Sequence, residues 1–84
     1  MSKKKKRLAK LMSGDADENF PFDDFVAVIV DAGWRYRRTT GSHIMFTRKE
    51  HPIINVQKDG GKAKSYQVEQ VRELIKKAEL GGRK

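Results

Sequence analysis

The sequence predicts an α+β domain in the order helix, three-stranded antiparallel sheet, helix, and three observations carry that prediction. Apolar residues recur at helical spacing in two stretches: Phe25, Val28, Ile29 and Ala32 early, and Val68, Val71, Leu74, Ile75 and Ala78 late. Between them lie short runs that alternate apolar with polar residues, the period of strands covered on one face. Short polar turns separate those runs and make an antiparallel meander. Two helices over one face of such a sheet leave the other face wet.

In chain order, residues 1–19 read as a basic tail followed by an acidic linker. Lys3, Lys4, Lys5, Lys6 and Arg7 lead into Leu8, Ala9 and Leu11, enough for a turn or two of helix but short for a helix stable alone. Ser13, Gly14, Asp15, Asp17 and Glu18 give a linker composition, so the single folded domain is expected at residues 20–84. Asp24 to Gly33 reads as its first helix: early carboxylates Asp23 and Asp24 suit a positive helix end, and Gly33 suits a left-handed stop. The β-branched Val26, Val28, Ile29 and Val30 make a buried strand the competing reading of this run.

Trp34, Tyr36 and Arg38 alternate with Arg35, Arg37 and Thr39 in the first strand. The second, Ser42 to Arg48, directs Ile44, Phe46 and Arg48 one way and His43, Met45 and Thr47 the other. After the break at Lys49-Glu50-His51-Pro52, Ile53 to Gln57 forms a third strand alternating Ile54 and Val56 against Ile53, Asn55 and Gln57. Lys58 to Lys64 is expected to be a flexible cationic loop. Ser65 is expected to cap a last helix from Tyr66 to Leu80, which Gly81-Gly82 ends.

With 84 residues, 37% hydrophobic and 8% aromatic, the core is modest, which points to a surface site rather than a deep one. The absence of cysteine excludes a disulfide framework, a thiolate metal site and a thiol nucleophile, and suits a reducing cytoplasm. The longest apolar run, Phe25 to Val30, is far short of a membrane span, so neither membrane insertion nor export is expected. The net charge of +8 is unevenly spread: residues 1–33 hold six cations and six anions, whereas residues 34–84 hold thirteen cations and five anions. That imbalance on the folded segment points to a polyanion, most commonly nucleic acid; a basic surface serving solubility is the plainer alternative.

The candidate site is Thr39-Thr40-Gly41-Ser42-His43-Ile44-Met45-Phe46, a tight turn that delivers a histidine to the root of a strand. Histidine is the side chain that exchanges a proton near neutrality, and alternation sends His43 away from the core face. On spacing alone, an ordinary hairpin carrying an ordinary surface histidine is the competing reading. His51, beside Pro52, reads as a surface residue, and no close cluster of His, Asp and Glu suggests a metal site. Gly60-Gly61-Lys62 lacks the first glycine and the following Ser or Thr of a phosphate-binding loop, which argues against nucleotide hydrolysis. Trp34 and Tyr36 beside the helix end read as core or cover, with stacking on bases as the alternative.

Gly33-Trp34, then Arg38 and Gly41-Ser42-His43 followed by Ile44 and Phe46, then Gly60-Gly61-Lys62 and a closing helix through Val71-Arg72 and Ile75-Lys76-Lys77, together resemble the HicA family of bacterial toxins. The resemblance spans roughly residues 22–80. It implies a fold like a double-stranded RNA-binding domain, metal-independent cleavage of mRNA that halts translation, no cofactor, and a HicB antitoxin partner that masks the site. It also implies that His43 is the catalytic residue. Two departures stand out: many members have a second histidine where this chain has Ile44, and another near the end of the third strand where it has Gln57.

Chemistry of that kind needs a base to take the 2′-hydroxyl proton so that the oxygen attacks the adjacent phosphate, and groups to stabilise the charge that develops. His43 is the expected base or acid, with Gly41 and Ser42 fixing its approach and Arg38, Lys62 and Lys64 as candidates for RNA binding or transition-state support. A non-catalytic module that grips structured RNA by shape is the alternative from a different class. A third reading is an interaction protein for an acidic partner.

Overall fold

Apolar spacing decides which segments fold inward, and the resulting elements occur in the order α1 (Lys3–Ser13), a 3-10 turn (Asp17–Asn19), α2 (Phe22–Asp31), β1 (Arg35–Thr40), β2 (His43–Thr47), β3 (Ile54–Asp59), β4 (Lys62–Ala63) and α3 (Ser65–Gly81). The structure, a computed structural model, describes residues 3–81. The strands form one antiparallel sheet in the order β1-β2-β3-β4. The class is α+β, with a four-stranded sheet where three strands were expected. No helix among the described residues is long and apolar enough to cross a membrane.

The two predicted apolar stripes meet over one face of the sheet. α2 buries Phe22, Phe25, Val28 and Ile29, and α3 buries Val68, Val71, Ile75 and Ala78, against Phe46, Ile54, Val56 and Ala63 from the strands. The helical reading of the β-branched run therefore holds. α2 ends as its glycine suggests: Gly33 (φ 102°) donates to Val30 O at 3.0 Å, and Trp34 N donates to Ile29 O at 3.3 Å. These paired bonds satisfy the last helix carbonyls. At the other end Pro21 takes the cap position without a side-chain bond, and its carbonyl accepts from Phe25 N at 3.0 Å. Among the described residues the expected Ser65 side-chain cap has no bond; the Lys64 carbonyl takes the first α3 amides, from Gln67 at 2.9 Å and Val68 at 3.0 Å. The expected stop at Gly81-Gly82 falls partly on residue 82, outside the described residues.

The expected flexible loop at 58–64 is instead a hairpin. Gly60 (φ 57°) and Gly61 (φ 85°) both lie in the left-handed region, the combination that closes a two-residue turn between twisted strands. β4 then gains a second neighbour in the segment just before α2: Ala63 N donates to Phe20 O at 2.9 Å and Phe22 N to Gly61 O at 3.0 Å.

The described residues 3–19 also depart from the expected tail. α1 lies against α2, with Leu11 fully buried and Leu8 and Met12 packed at the core's border. Arg7 reaches Asp31 at 3.0 Å and Lys10 reaches Asp24 at 4.0 Å, so this helix commits cations to the acids of α2. The main tether comes from α3: Arg72 forks onto Asp17 with two bonds of 2.9 Å and donates to Leu11 O at 3.1 Å. Hydrogen bonding to Asp17 raises the Arg72 guanidinium above its ordinary value, burial opposing it and nearby carboxylate charge adding to it. Arg72→Met keeps the side-chain stem but strands a largely buried carboxylate and a carbonyl. It is expected to cost about 2–4 kcal/mol, read from the urea midpoint of the full chain.

Candidate nucleic-acid interface

The hairpin that carries His43 follows from one glycine. Thr40 pairs with His43, leaving Gly41-Ser42 as a two-residue loop, and Gly41 (φ 61°) takes the left-handed conformation that the first loop position of such a turn requires. His43 leaves the turn on the sheet face away from the helices and is exposed, as the alternation predicts. Its Nδ1 lies 3.2 Å from Asn55 Oδ1 on β3. Ser42 Oγ accepts from Gln57 Nε2 at 2.9 Å, so the turn and the ring are both tied to β3.

β1 does not keep the simple alternation read from its sequence. The register shifts between Tyr36 and Arg38, with Tyr36 opposite Phe46 and Arg38 opposite Met45, so Arg37 is an inserted bulge residue. The extra residue moves Arg38 off the side it would share with Tyr36 and onto the open face with Arg35. Tyr36 and Thr39 share the opposite side, their hydroxyls 3.0 Å apart. Arg38 thereby becomes the diagonal neighbour of His43, a separation of roughly 7–8 Å across a strand pair.

The open face thus carries Arg35, Arg38 and Thr40 from β1, His43, Met45 and Thr47 from β2, and Asn55, Gln57 and Asp59 from β3. Its one strand carboxylate is Asp59, which stands opposite Lys62. Among the described residues, Arg35, Arg37 and Arg38 form no ion pair, in contrast to Arg7 and Lys10 of α1 and Arg72 and Lys76 of α3. Arg35, Arg37 and Arg38 thus display part of the charge excess of the second half of the chain on the sheet.

The predicted site residues are only partly brought together. Gly41, Ser42, His43 and Arg38 form one group. Lys62 and Lys64 sit at the other edge, separated from His43 by β3, about two strand spacings or roughly 10 Å. There they line a crevice with Glu18, Asp59, Ser65 and Tyr66. That position suits contact with a flanking phosphate better than support of a reacting one.

Trp34 is fully buried and donates from Nε1 to Pro52 O at 3.0 Å, so it is core and not a stacking platform. The Arg48 guanidinium covers it at 5.2 Å while donating to Ala32 O at 2.8 Å. His51 is half-buried with its ring 5.4 Å from Trp34, less exposed than its turn position suggested. Tyr36, 60% exposed, remains available on the far side of the sheet's edge. No group of three or more His, Cys, Asp or Glu among the described residues is arranged to hold a metal ion. Sequence reading missed Asn55 and Gln57: alternation put both on the wet face, but nothing in the sequence fixed which residue of β2 each would meet.

Fold and site together define a small basic α+β protein whose open sheet face carries a single exposed imidazole among unneutralised arginines. In comparison with known proteins, the chain matches no family model, no curated protein and no solved structure.

Proposed function

We propose that this protein is a HicA-like toxin of a bacterial toxin–antitoxin pair, an endoribonuclease that cuts mRNA without a metal ion and so inhibits translation. The observation that carries the proposal is the His43 imidazole, exposed on a cationic sheet face and hydrogen-bonded from β3. The stretch from α2 to α3 runs helix, three strands, helix, an order like that of a double-stranded RNA-binding domain, with α1 and β4 added. Such an enzyme would act in the cytoplasm, where mRNA is translated, and would be held inactive by a HicB-like antitoxin covering the open face.

In the proposed reaction His43 takes the proton of a 2′-hydroxyl, the oxygen attacks the adjacent phosphorus, and the 5′-oxygen of the next nucleotide leaves with a proton. The products are a 2′,3′-cyclic phosphate and a 5′-hydroxyl. Arg38, one diagonal away, supplies positive charge where the phosphorane oxygens become more negative. Gly41 and Ser42 shape the approach, since a tight turn without bulky side chains lets a phosphodiester come close to the backbone.

The flatness of the site favours one other reading, a non-catalytic RNA-binding module. His43, Thr40 and Asn55 are all exposed, and shape recognition of an RNA backbone needs no pocket. Incubating the purified protein with single-stranded and duplex RNA in excess chelator separates the two. Cuts that vanish with His43→Ala support the nuclease; retarded mobility with intact RNA supports the binder.

On either reading, Arg38→Ala is expected to weaken RNA binding and to lower the slope of log affinity against log salt by about 0.7–0.9, the contribution of one phosphate contact. A salt titration of fluorescently labelled RNA reads this directly. An unchanged slope would remove Arg38 from the interface.

A further inference from the structure

The β2–β3 register sets Gln57 opposite His43 and Asn55 opposite Met45, which makes Asn55 the diagonal neighbour of His43 on the open face. Its Oδ1 faces His43 Nδ1 at 3.2 Å. An amide oxygen only accepts, so this contact is a hydrogen bond only when Nδ1 carries the hydrogen. In the neutral ring, Nε2 is then the bare nitrogen. Among the described residues Nε2 has no protein partner, and the side chain is exposed, so the bare nitrogen is open to a ligand.

The surrounding frame keeps that geometry in place. Gln57 Nε2 holds Ser42 Oγ at 2.9 Å, and the Gln57 backbone amide is held at 2.9 Å by Oε1 of Gln67, a buried residue of α3. Ring, turn and strand are thus fastened to the helical layer. The charged groups nearest this ring by register are Arg38 on β1 and Asp59 on β3, the latter opposite Lys62 on β4. Asn55 itself orients the ring without adding the negative charge that would favour the imidazolium.

We infer that Asn55 is the positioning residue of the site: it holds His43 as the Nδ1–H tautomer and presents Nε2, deprotonated, as the proton acceptor. The purpose of this arrangement rests on the nuclease reading, but the tautomer is a property of the free protein and is measured without RNA. It also assigns a role the sequence left open, making His43 the base of the first step and only afterwards the donor of the same proton.

The test is nitrogen-15 NMR of the imidazole in the full chain, with far-UV circular dichroism to show that each variant folds. Above the His43 titration, the wild type is expected to show a protonated Nδ1 and an unprotonated Nε2, and Asn55→Ala a mixture of tautomers. Asn55→Asp, whose carboxylate oxygen also only accepts, should keep the tautomer. In RNA cleavage, Asn55→Ala is expected to lose about five- to tenfold, the size of one neutral hydrogen bond. Asn55→Asp, which keeps an acceptor in place, should lose less than Asn55→Ala. A wild-type ring found mainly as the Nε2–H tautomer, or an Asn55→Ala ring with the wild-type tautomer ratio, overturns the inference. Cleavage that persists in His43→Ala overturns the nuclease reading instead, and the tautomer measured by NMR still decides whether Asn55 orients the ring.

Discussion

His43→Ala is expected to lower metal-independent RNA cleavage by about 10²- to 10⁴-fold, the contribution of one positioned general acid–base group. The fold should be almost untouched, because the side chain is exposed and its one protein bond is to an equally exposed Asn55. That separation makes the result readable: a variant with wild-type urea midpoint and wild-type RNA retention that no longer cuts has lost chemistry and nothing else. On the proposed function, expression of the protein in cells is expected to arrest growth and the same substitution to abolish that arrest. Wild-type cleavage rates in the variant would leave the sheet face as a binding surface alone.

The largest expected loss of stability comes from Trp34→Ala, about 3–5 kcal/mol for removing a fully buried tryptophan. Total stabilities of small domains run about 5–15 kcal/mol, so this one change is expected to bring the chain near the edge of folding. The reason lies in what meets there. The indole ties the end of α2 to the turn before β3 through Pro52, lies under Arg48, and faces His51. Truncation leaves the Pro52 carbonyl and the Arg48 face without a partner as well as opening a cavity. Far-UV circular dichroism in urea is the measurement, since the substitution removes the only tryptophan. Tyr36→Ala, at a 60% exposed position two residues on, should cost under about 1 kcal/mol.

The elements that sequence reading recovered are those whose signal is local. The apolar stripes of α2 and α3, the stop at Gly33 and the Gly41-Ser42 hairpin are each written within a few neighbouring residues. What escaped depends on partners far along the chain. α1 looks like a tail until Arg72 bonds the Leu11 carbonyl across 61 positions. The bulge at Arg37 has no mark in a run of arginines and threonines, yet it decides that Arg38 rather than its neighbour shares a face with His43. Asn55 was legible as a wet-face residue but not as a partner of His43, because the connection from Arg48 to Ile53 leaves the β2–β3 register free until the core is packed. The Gly60-Gly61 pair did carry a hairpin signal; the flanking lysines made it read as a loop.

The division of charge between the layers bears on how this molecule meets a polyanion. Because the six cations and six anions of residues 1–33 balance, with Arg7 on Asp31 and Lys10 on Asp24, while Arg35, Arg37 and Arg38 of β1 form no ion pair among the described residues, the protein's positive field is stronger on the side of the sheet. A long-range field of that shape turns a diffusing particle before it touches down. Collisions with RNA would therefore begin sheet-first, with the imidazole edge already leading, and productive landings would be a larger share of all encounters than blind tumbling allows.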